Sequence, residues 1–292
     1  MTEREAPVVL AVSGVRARDL VALTKPRITT MVTATGIAGA LAAPVRPSLG
    51  ATLLAAGSIA MVVGGANVLN MWLERSTDAQ MERTRDRPMA AGRVSPSMGL
   101  LMGIGISLAS IPLMFAANVR VAALGLVALF TYVALYTPMK RVTAWSLPVG
   151  AIAGAMPPAM GYAAATGKLD IRAAYLFALL FVWQLPHFMA ISIVRADEYR
   201  AAGLAVGAKT GGAKVAMVAT SVALLATTLV APRFGLGGRW AMAVAASTGG
   251  VMVALSLRAA RAGAGRSEAR DAFAFTMAHL ALVLTALGVD RG

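Results

Sequence analysis

The sequence predicts an all-α fold, a polytopic bundle of helices that cross a membrane. Of its 292 residues, 58% are hydrophobic and only 14% are charged, and the mean hydropathy is +0.71. A typical soluble domain has about 25% charged residues, and the apolar runs here are too many and too long for one soluble core. Because lipid offers the backbone no hydrogen-bond partners, long apolar runs favour helices as the spanning structure.

Nine apolar runs along the chain predict nine transmembrane helices. Several are close to the ~20 residues that a helix needs to cross the hydrocarbon core. Residues 1–24 form a polar, basic N-terminal segment in which we expect no cleaved signal peptide, and residues 25–292 are interpreted as a single membrane-embedded domain. The predicted spans are 28–43, 49–73, 97–116, 121–138, 145–165, 172–194, 214–231, 239–257 and 272–289.

The Lys and Arg residues are distributed unevenly between the two sets of connecting segments. Counted with a cytoplasmic N-terminus, 20 of the 27 lie in cytoplasmic segments and seven on the other side. This bias follows the positive-inside rule, and it predicts a multi-pass protein of the plasma (inner) membrane with its C-terminus outside. The net charge of +14 lies in short loops between apolar runs, so it does not indicate a nucleic-acid partner.

One polar segment marks the point where the second apolar run ends. Asn70, Glu74 and Asp78 are spaced i, i+4 and i+8, so on a helix they drift by only about 80° and share one face. Proteins hold Mg²⁺ with one or two carboxylates plus substrate phosphates, and arginines bind the remaining phosphate oxygens. The segment therefore indicates a magnesium-bridged diphosphate site, and the alternative is a solvated, mixed-charge loop between two membrane helices. Its arginines are Arg75, Arg83, Arg85, Arg87 and Arg93.

A second polar cluster follows the sixth predicted span, on the same side of the membrane by the charge count. Its acids are Asp197 and Glu198, with Tyr199 beside them. Two acidic clusters that face one cavity can hold two metal ions on one diphosphate. His187 lies about two turns from the end of the span, where an ionisable side chain indicates a ligand contact, an acid or base, or a hydrogen-bond donor. The alternative is a neutral histidine bonded to a neighbouring helix.

Two basic pairs lie on this same side of the membrane. Lys25 and Arg27 precede the first span, and Lys140 and Arg141 follow the fourth. Such pairs determine topology, and they also suit the mouth of a site for anionic substrates. The sequence contains no cysteine, which excludes disulfides, thiolate metal sites and a cysteine nucleophile.

The motif Asn-x3-Glu-x3-Asp at residues 70–78 resembles the first signature of the UbiA-type intramembrane prenyltransferases, Asn-x3-Asp-x3-Asp. Its continuation at residues 81–88, MERTRDRP, is similar to that of the protohaem IX farnesyltransferases, or haem O synthases. Further matching motifs are LTKPR at 23–27, YTPMKR at 136–141, GAMPP at 154–158 and WQLPHF at 183–188. The resemblance extends from about residue 20 to residue 289.

This resemblance implies nine helices around a central cavity and a Mg²⁺-dependent reaction. The farnesyl group of farnesyl diphosphate is transferred to a vinyl group of haem b, and water adds in the same overall reaction, giving haem O for haem–copper oxidase assembly. Haem b is a substrate here and Mg²⁺ the cofactor. The implied partners are farnesyl diphosphate, haem b, the lipid bilayer, and haem A synthase or oxidase assembly proteins, with no nucleic acid.

The resemblance also implies roles for individual residues of this chain. The expected catalytic residues are Asn70, Glu74, Asp78, Arg83 and Arg87, and the expected metal ligands are Asn70, Glu74, Asp78 and Glu198. The expected substrate-binding residues are Lys25, Arg27, Lys140, Arg141, Trp183, His187, Asp197, Glu198 and Tyr199, with Trp183 and His187 on the haem side.

The sequence departs from the family pattern in two places. Glu74 stands where the signature has Asp, and Ser76 stands where a further Asp is common. Glutamate keeps the charge but lengthens the arm by one methylene, which changes the metal geometry. The second departure is at residues 201–207, which lack the usual Pro-Met-Leu-Pro run.

Three other functions remain open at this point. The nearest is the same fold acting on an aromatic quinone precursor, against which the haem-type motifs argue. A non-catalytic membrane assembly factor that retains the fold is the second, and the departures at Glu74 and Ser76 leave it open. The third is a secondary transporter, but transporters carry ionisable residues near the bilayer midplane, whereas the acids here cluster at span ends.

Overall fold

The computed structural model describes residues 15–205 and 210–290, which contain helices and turns but no strand. The all-α prediction is therefore confirmed. Residues 1–14, 206–209, 291 and 292, on which parts of the predictions above fall, lie outside the described residues. The helices are α1 Ala17–Leu23, α2 Pro26–Leu41, α3 Leu49–Asp78, α4 Pro96–Ala117, α5 Val119–Phe130, α6 Thr137–Met139, α7 Ser146–Thr166, α8 Ile171–Val194, α9 Ala196–Ala201, α10 Thr210–Leu229, α11 Arg239–Ala260 and α12 Arg266–Val289.

Seven helices of the described residues are long and apolar enough to cross a membrane, so the predicted count of nine is confirmed only in part. The two predicted spans without such a helix correspond to α2 and α7. With 16 residues, α2 is short for a span. The longer α7 is rich in Ala, Gly and Pro, whose side chains are less hydrophobic than those of Leu or Val. The seven are α3, α4, the continuous segment Val119–Met139, α8, Gly211–Leu229 of α10, α11 and α12.

The small residues of α2 and α7 allow their backbones to touch. A Cβ atom added to Gly39 would overlap the carbonyl oxygen of Pro158, and one added to Gly161 would overlap that of Gly36. Small residues at helix contacts are the usual means of close approach in membranes, where the hydrophobic effect does not drive helix association. Because α7 also packs against α3, α5 and α8, it occupies the middle of the bundle.

Helix α3 extends further than the sequence predicts and projects beyond the apolar layer. Ser48 caps its first turn by accepting a hydrogen bond from the backbone N–H of Ala51 (3.1 Å). With 30 residues the helix is about 45 Å long, compared with a hydrocarbon core of about 30 Å. It ends at Asp78 rather than at the predicted residue 73, so the polar face that starts at Asn70 lies on one continuous helix.

Between α5 and α6 the chain forms a π-helical segment, Thr131–Tyr136. The hydroxyl of Thr137 donates to the carbonyl of Tyr132 (2.8 Å), which satisfies one acceptor of the widened turn. Such π segments are frequently found at functional sites. Here the segment brings Tyr132 and Tyr136 onto the wall of an interior cavity.

Candidate active site

Lys25 and Asn70 are joined by a hydrogen bond at the end of the bundle where α3 projects. Lys25 is the N-cap of α2 and, with φ +49°, the one non-glycine residue of the described part in the left-handed region, a conformation that costs about 1 kcal/mol or more. Its Nζ donates to Asn70 Oδ1 (2.7 Å). Asn70 Nδ2 in turn donates to the hydroxyl of Thr137 (3.0 Å). The strained backbone thus accompanies a lysine that is directed at the predicted metal face.

The two carboxylates on the same face of α3 are each paired with a basic residue from another segment. Lys140, just after α6, forms an ion pair with Glu74. Arg87, in the loop after α3, donates from Nη1 to both oxygens of Asp78 (2.8 and 2.7 Å). Asp78 is buried. We call these six residues the α3 cluster: Lys25, Asn70, Glu74, Asp78, Arg87 and Lys140.

The charges of the α3 cluster perturb one another. Burial, with smaller contributions from nearby Arg87 and Lys140, lowers the pKa of Lys25 to about 7, and Glu74 opposes the shift. Burial also acts to lower the pKa of Lys140, but Tyr136 and Glu74 outweigh it and the pKa is raised. Three basic residues thus face two carboxylates, and burial disfavours the positive charge of Lys25.

An interior cavity of about 230 Å³ lies one helical turn deeper than the α3 cluster. Asn67 lines it one turn before Asn70, and Tyr136 lines it one turn before Lys140. The rest of its wall is mostly aliphatic, formed by α2, α3, α5, α7 and α8. A charged group at the cluster and an apolar chain in this cavity can therefore belong to one molecule.

The second acidic region, on α9, is only partly directed at the α3 cluster. Glu198 is hydrogen-bonded to Arg195 (2.6 Å), and its other oxygen lies 4.0 Å from Nε of Arg83 in the loop after α3. Asp197 is exposed and ion-paired with Arg200 and Arg266.

The remaining predicted substrate-binding residues on this side differ in exposure. Burial raises the pKa of Tyr199, and nearby Arg83 and Lys140 oppose that shift. Tyr199 thus lies among the residues that join α9 to the cluster. Arg27 is exposed on the first turn of α2. Arg141 is also exposed, with its guanidinium 3.4 Å from the carbonyl of Leu73.

Trp183 and His187 lie together on α8 and contact α12. The indole N–H of Trp183 donates to the backbone carbonyl of Thr276 (2.7 Å), and Nδ1 of His187 is hydrogen-bonded to the Thr276 hydroxyl (2.7 Å). The imidazole stacks on Trp183 and on Phe273, with ring centroids 4.9 and 4.6 Å apart. Their neighbours Gln184 and Phe188 line the apolar cavity, so this aromatic group and the cavity share one helix.

The oxygen donors of the α3 cluster suit an Mg²⁺ ion whose other ligands come from a substrate. They do not form a complete metal site by themselves. No group of three or more His, Cys, Asp or Glu side chains in the described residues is placed to hold a metal ion. Asn70, Glu74 and Asp78 nevertheless supply the hard oxygen donors that Mg²⁺ prefers, and Mg²⁺ is usually completed by substrate phosphates and water. The chemistry of the donor set therefore agrees with the predicted cofactor.

Some residues of the site carried little signal in the sequence. Asn67 was not predicted, although it lies one turn before Asn70 on α3 and helical spacing could have indicated it. The positions of Tyr132 and Thr137 depend on the π-helical segment, which the sequence does not reveal. The role of Thr276 depends on its contact with His187, 89 positions away. Such long-range partners are not contained in local spacing.

Sequence comparisons relate the chain to named proteins. The profile of the UbiA prenyltransferase family matches residues 30–282. A protein named protoheme IX farnesyltransferase from Myxococcus xanthus is 40% identical over 279 residues, which cover 94% of this chain and 95% of the relative. One of the same name from Anaeromyxobacter sp. is 44% identical over 280 residues, 93% of each protein.

Solved structures share the fold at low sequence identity. A UbiA homologue from Archaeoglobus fulgidus bound to GPP and Mg²⁺ has a TM-score of 0.67 at 13% identity and covers 91% of this chain and 99% of its own. A structure reported for digeranylgeranylglyceryl phosphate synthase has a TM-score of 0.78 at 12% identity, with coverages of 94% and 98%. At these identities the similarity establishes the fold alone.

Proposed function

The chain belongs to the UbiA prenyltransferase family, and we propose that it transfers the farnesyl group of farnesyl diphosphate to a vinyl group of haem b, giving haem O. The relatives named protoheme IX farnesyltransferase support this choice of substrates, because they match the chain over most of both lengths. Haem A synthase and oxidase assembly proteins are the proposed partners that receive the product.

The position of the α3 cluster beside the apolar cavity carries this proposal. A diphosphate is small and highly charged, and the cluster presents three basic residues to it. A farnesyl chain is long and apolar, and the cavity of about 230 Å³ offers it aliphatic and aromatic walls. The carbon that joins the two parts of the substrate would then lie near Asn70, where cluster and cavity meet.

The first chemical step is cleavage of the bond between the farnesyl group and the diphosphate. The bonding electrons leave with the diphosphate, and Lys25, Arg87 and Lys140 stabilise the negative charge that develops there. Asn70, Glu74 and Asp78 would hold Mg²⁺, which would supply Lewis-acid stabilisation of the same charge. Diphosphate also places negative charge beside Lys25, which favours the protonated form of its amine.

The second step joins the farnesyl cation to the vinyl group. Tyr132 and Tyr136 line the cavity with ring centroids 5.3 Å apart, and aromatic faces stabilise cations. The apolar walls exclude bulk water from the cation until it reacts. The outer vinyl carbon then bonds to the farnesyl carbon, and a water molecule adds to the inner vinyl carbon and loses a proton, which gives the hydroxyl of haem O.

The experiment that tests this function uses the purified protein in lipid nanodiscs with haem b, farnesyl diphosphate and Mg²⁺. We expect haem O by mass spectrometry, and none when Mg²⁺ is chelated. Parallel reactions replace haem b with an aromatic quinone precursor. Transfer to the aromatic compound instead of haem would assign the chain to the other acceptor, and no transfer to either would identify a non-catalytic assembly factor.

We also propose that the α3 cluster faces the cytoplasm of a bacterial inner membrane, with the C-terminus outside. The uneven distribution of Lys and Arg, 20 to seven, supports this orientation. Reporter fusions near residues 90 and 205 should report a cytoplasmic location, and a fusion at residue 292 an external one. An external signal from either of the first two sites would contradict the orientation.

A further inference from the structure

The two histidines of the described residues have the same kind of hydrogen-bond partner. Nδ1 of His187 bonds to the hydroxyl of Thr276 (2.7 Å), and Nδ1 of His279 bonds to that of Thr248 (2.8 Å). Each threonine hydroxyl also donates to a backbone carbonyl of its own helix, at 2.6 Å in both cases. Two matched histidine–threonine pairs therefore exist, and they differ in what surrounds the other ring nitrogen.

These hydrogen bonds determine which nitrogen of His187 carries the proton. The hydroxyl of Thr276 has one hydrogen, and the carbonyl of Phe273 accepts it. Thr276 can therefore only accept from His187, so Nδ1 must be the protonated nitrogen. In the neutral ring Nε2 then carries a lone pair, which is the form in which imidazole ligates a metal.

Two aromatic rings and one hydroxyl hold the His187 ring in place. The imidazole stacks on Trp183 and on Phe273, and its Nδ1 is bonded to Thr276. Nε2 is therefore the ring nitrogen left for a ligand. His187 is partly exposed, whereas His279 is buried and its Nε2 has no partner at all. Only the first pair can present a lone pair to a molecule that enters the protein.

We propose that His187 is an axial ligand of the iron in the haem acceptor, and that Thr276 is the residue that positions it. This inference rests on the proposed function, since it concerns the haem substrate of that reaction. Neutral histidine is a common axial ligand of haem iron, and metal-binding histidines almost always donate their other N–H to a nearby acceptor. The ligand would hold the porphyrin next to α8, whose Gln184 and Phe188 line the cavity.

The test is a spectroscopic titration of the purified protein with ferric haem b and, separately, with iron-free protoporphyrin IX. We expect the wild type to give the absorption and EPR spectrum of histidine-ligated haem and to bind haem more tightly than the iron-free porphyrin. His187→Ala should lose that spectrum and that preference, and added imidazole should restore the spectrum. An unchanged spectrum in His187→Ala overturns the proposal.

The positioning role has a matched control in the second histidine–threonine pair. Thr276→Val should weaken haem binding by roughly tenfold, within the range for partners of metal ligands, and Thr276→Ser should restore it. The matched variant Thr248→Val should leave haem affinity and spectrum unchanged, because His279 is buried. Equal effects of the two valine substitutions would reduce Thr276 to a general structural role.

These measurements distinguish a failure of this inference from a failure of the proposed function. If His187→Ala does not fold, His187→Met is used instead. If residue 187 ligates the iron, this variant should give the spectrum of sulfur-ligated haem. A retained histidine spectrum overturns the proposal. Haem O production by the wild type is measured in parallel. Its absence counts against the proposed function, whereas normal production with an unaltered spectrum in the variant counts against this inference alone.

Discussion

The two acidic regions of the protein differ in burial and in the origin of their partners. Asp78 in the α3 cluster is 1% exposed, and the basic residues of the cluster come from three separate segments of the chain. On α9 the side chain of Asp197 is 58% exposed, and one of its partners, Arg200, is three residues away on the same helix. The α3 cluster is buried and draws its basic partners from distant segments, whereas each acid of α9 is more exposed and has one partner only three residues away.

This difference indicates which region can hold a reacting group. Exposed pairs at i, i+3 contribute only about 0.2–0.5 kcal/mol, and water competes for their charges. Buried charges are costly unless every one is paired, so the α3 cluster exists only because the fold supplies partners from several directions. A substrate that replaces one of those partners meets groups already fixed in place. The α9 acids approach the loop after α3 through the contact of Glu198 with Arg83.

The largest effect is expected at Asp78. Asp78→Asn should lower farnesyl transfer by about a hundredfold or more, because several kcal/mol of charge stabilisation in the transition state depend on the metal site. Thermal unfolding of the variant should show a loss of about 1–3 kcal/mol, since Arg87 keeps one acceptor but loses the charge. Turnover near the wild-type rate in the folded variant would contradict the metal assignment.

Lys140 tests whether the cluster acts on the diphosphate. Lys140→Met removes the cation that pairs with Glu74, and we expect transfer to fall by roughly tenfold or more, with weaker binding of farnesyl diphosphate. Lys140→Arg keeps the charge and should retain more activity. Isothermal titration with a non-hydrolysable diphosphate analogue measures the binding. Equal affinities for wild type and Lys140→Met would show that the lysine only neutralises Glu74.

Much of the fold is predictable from the sequence because spans are long and apolar. Helix ends are less predictable, since polar residues continue a helix beyond the hydrocarbon layer. Thus α3 ends five residues after the predicted span. Likewise α12 begins at Arg266, ahead of predicted residue 272, where Glu268 accepts a hydrogen bond from the N–H of Gly265. The hydropathy of α7 is low because its small residues allow close packing against α2. The hydropathy of one helix does not reveal that contact.

The candidate site is predictable where it depends on helical spacing. The shared face of Asn70, Glu74 and Asp78 follows from 3.6 residues per turn. The partners of these residues cannot be predicted from helical spacing, because Lys25 and Lys140 reach this face only in the folded bundle. Nor does spacing show that Asp197 pairs with Arg266, because the two residues are 69 positions apart in the sequence.

The departure from the family signature gives a more moderate prediction. Glu74→Asp should be tolerated within about threefold, because the charge that faces Lys140 is retained, whereas Glu74→Gln should cost about tenfold, near 1.4 kcal/mol. The magnesium dependence of turnover measures both. Small and equal effects would show that Glu74 is structural and leave Asn70 and Asp78 to hold the ion with water.

A smaller effect is expected at Glu198. Its carboxylate pairs with Arg195 and lies 4.0 Å from Arg83, so Glu198→Gln should lower turnover by about threefold through a weaker link to the first loop. The matched variant Arg83→Gln removes the other side of the same contact. In a double-mutant cycle the two effects should be less than additive. Additive effects would mean that the contact does not function in catalysis.

The smallest effect is expected at Asp197. Asp197→Asn removes a charge that is 58% exposed, and the amide oxygen still accepts hydrogen bonds from Arg200 and Arg266. The free energy of unfolding should therefore change by no more than about 0.5 kcal/mol, and turnover should stay within about twofold. The informative comparison is with Glu198→Gln at the next position, measured at the same Mg²⁺ concentrations. A large loss at Asp197 with none at Glu198 would reverse the assignment, because it would mean that Asp197 leaves its arginines for the metal when substrate binds.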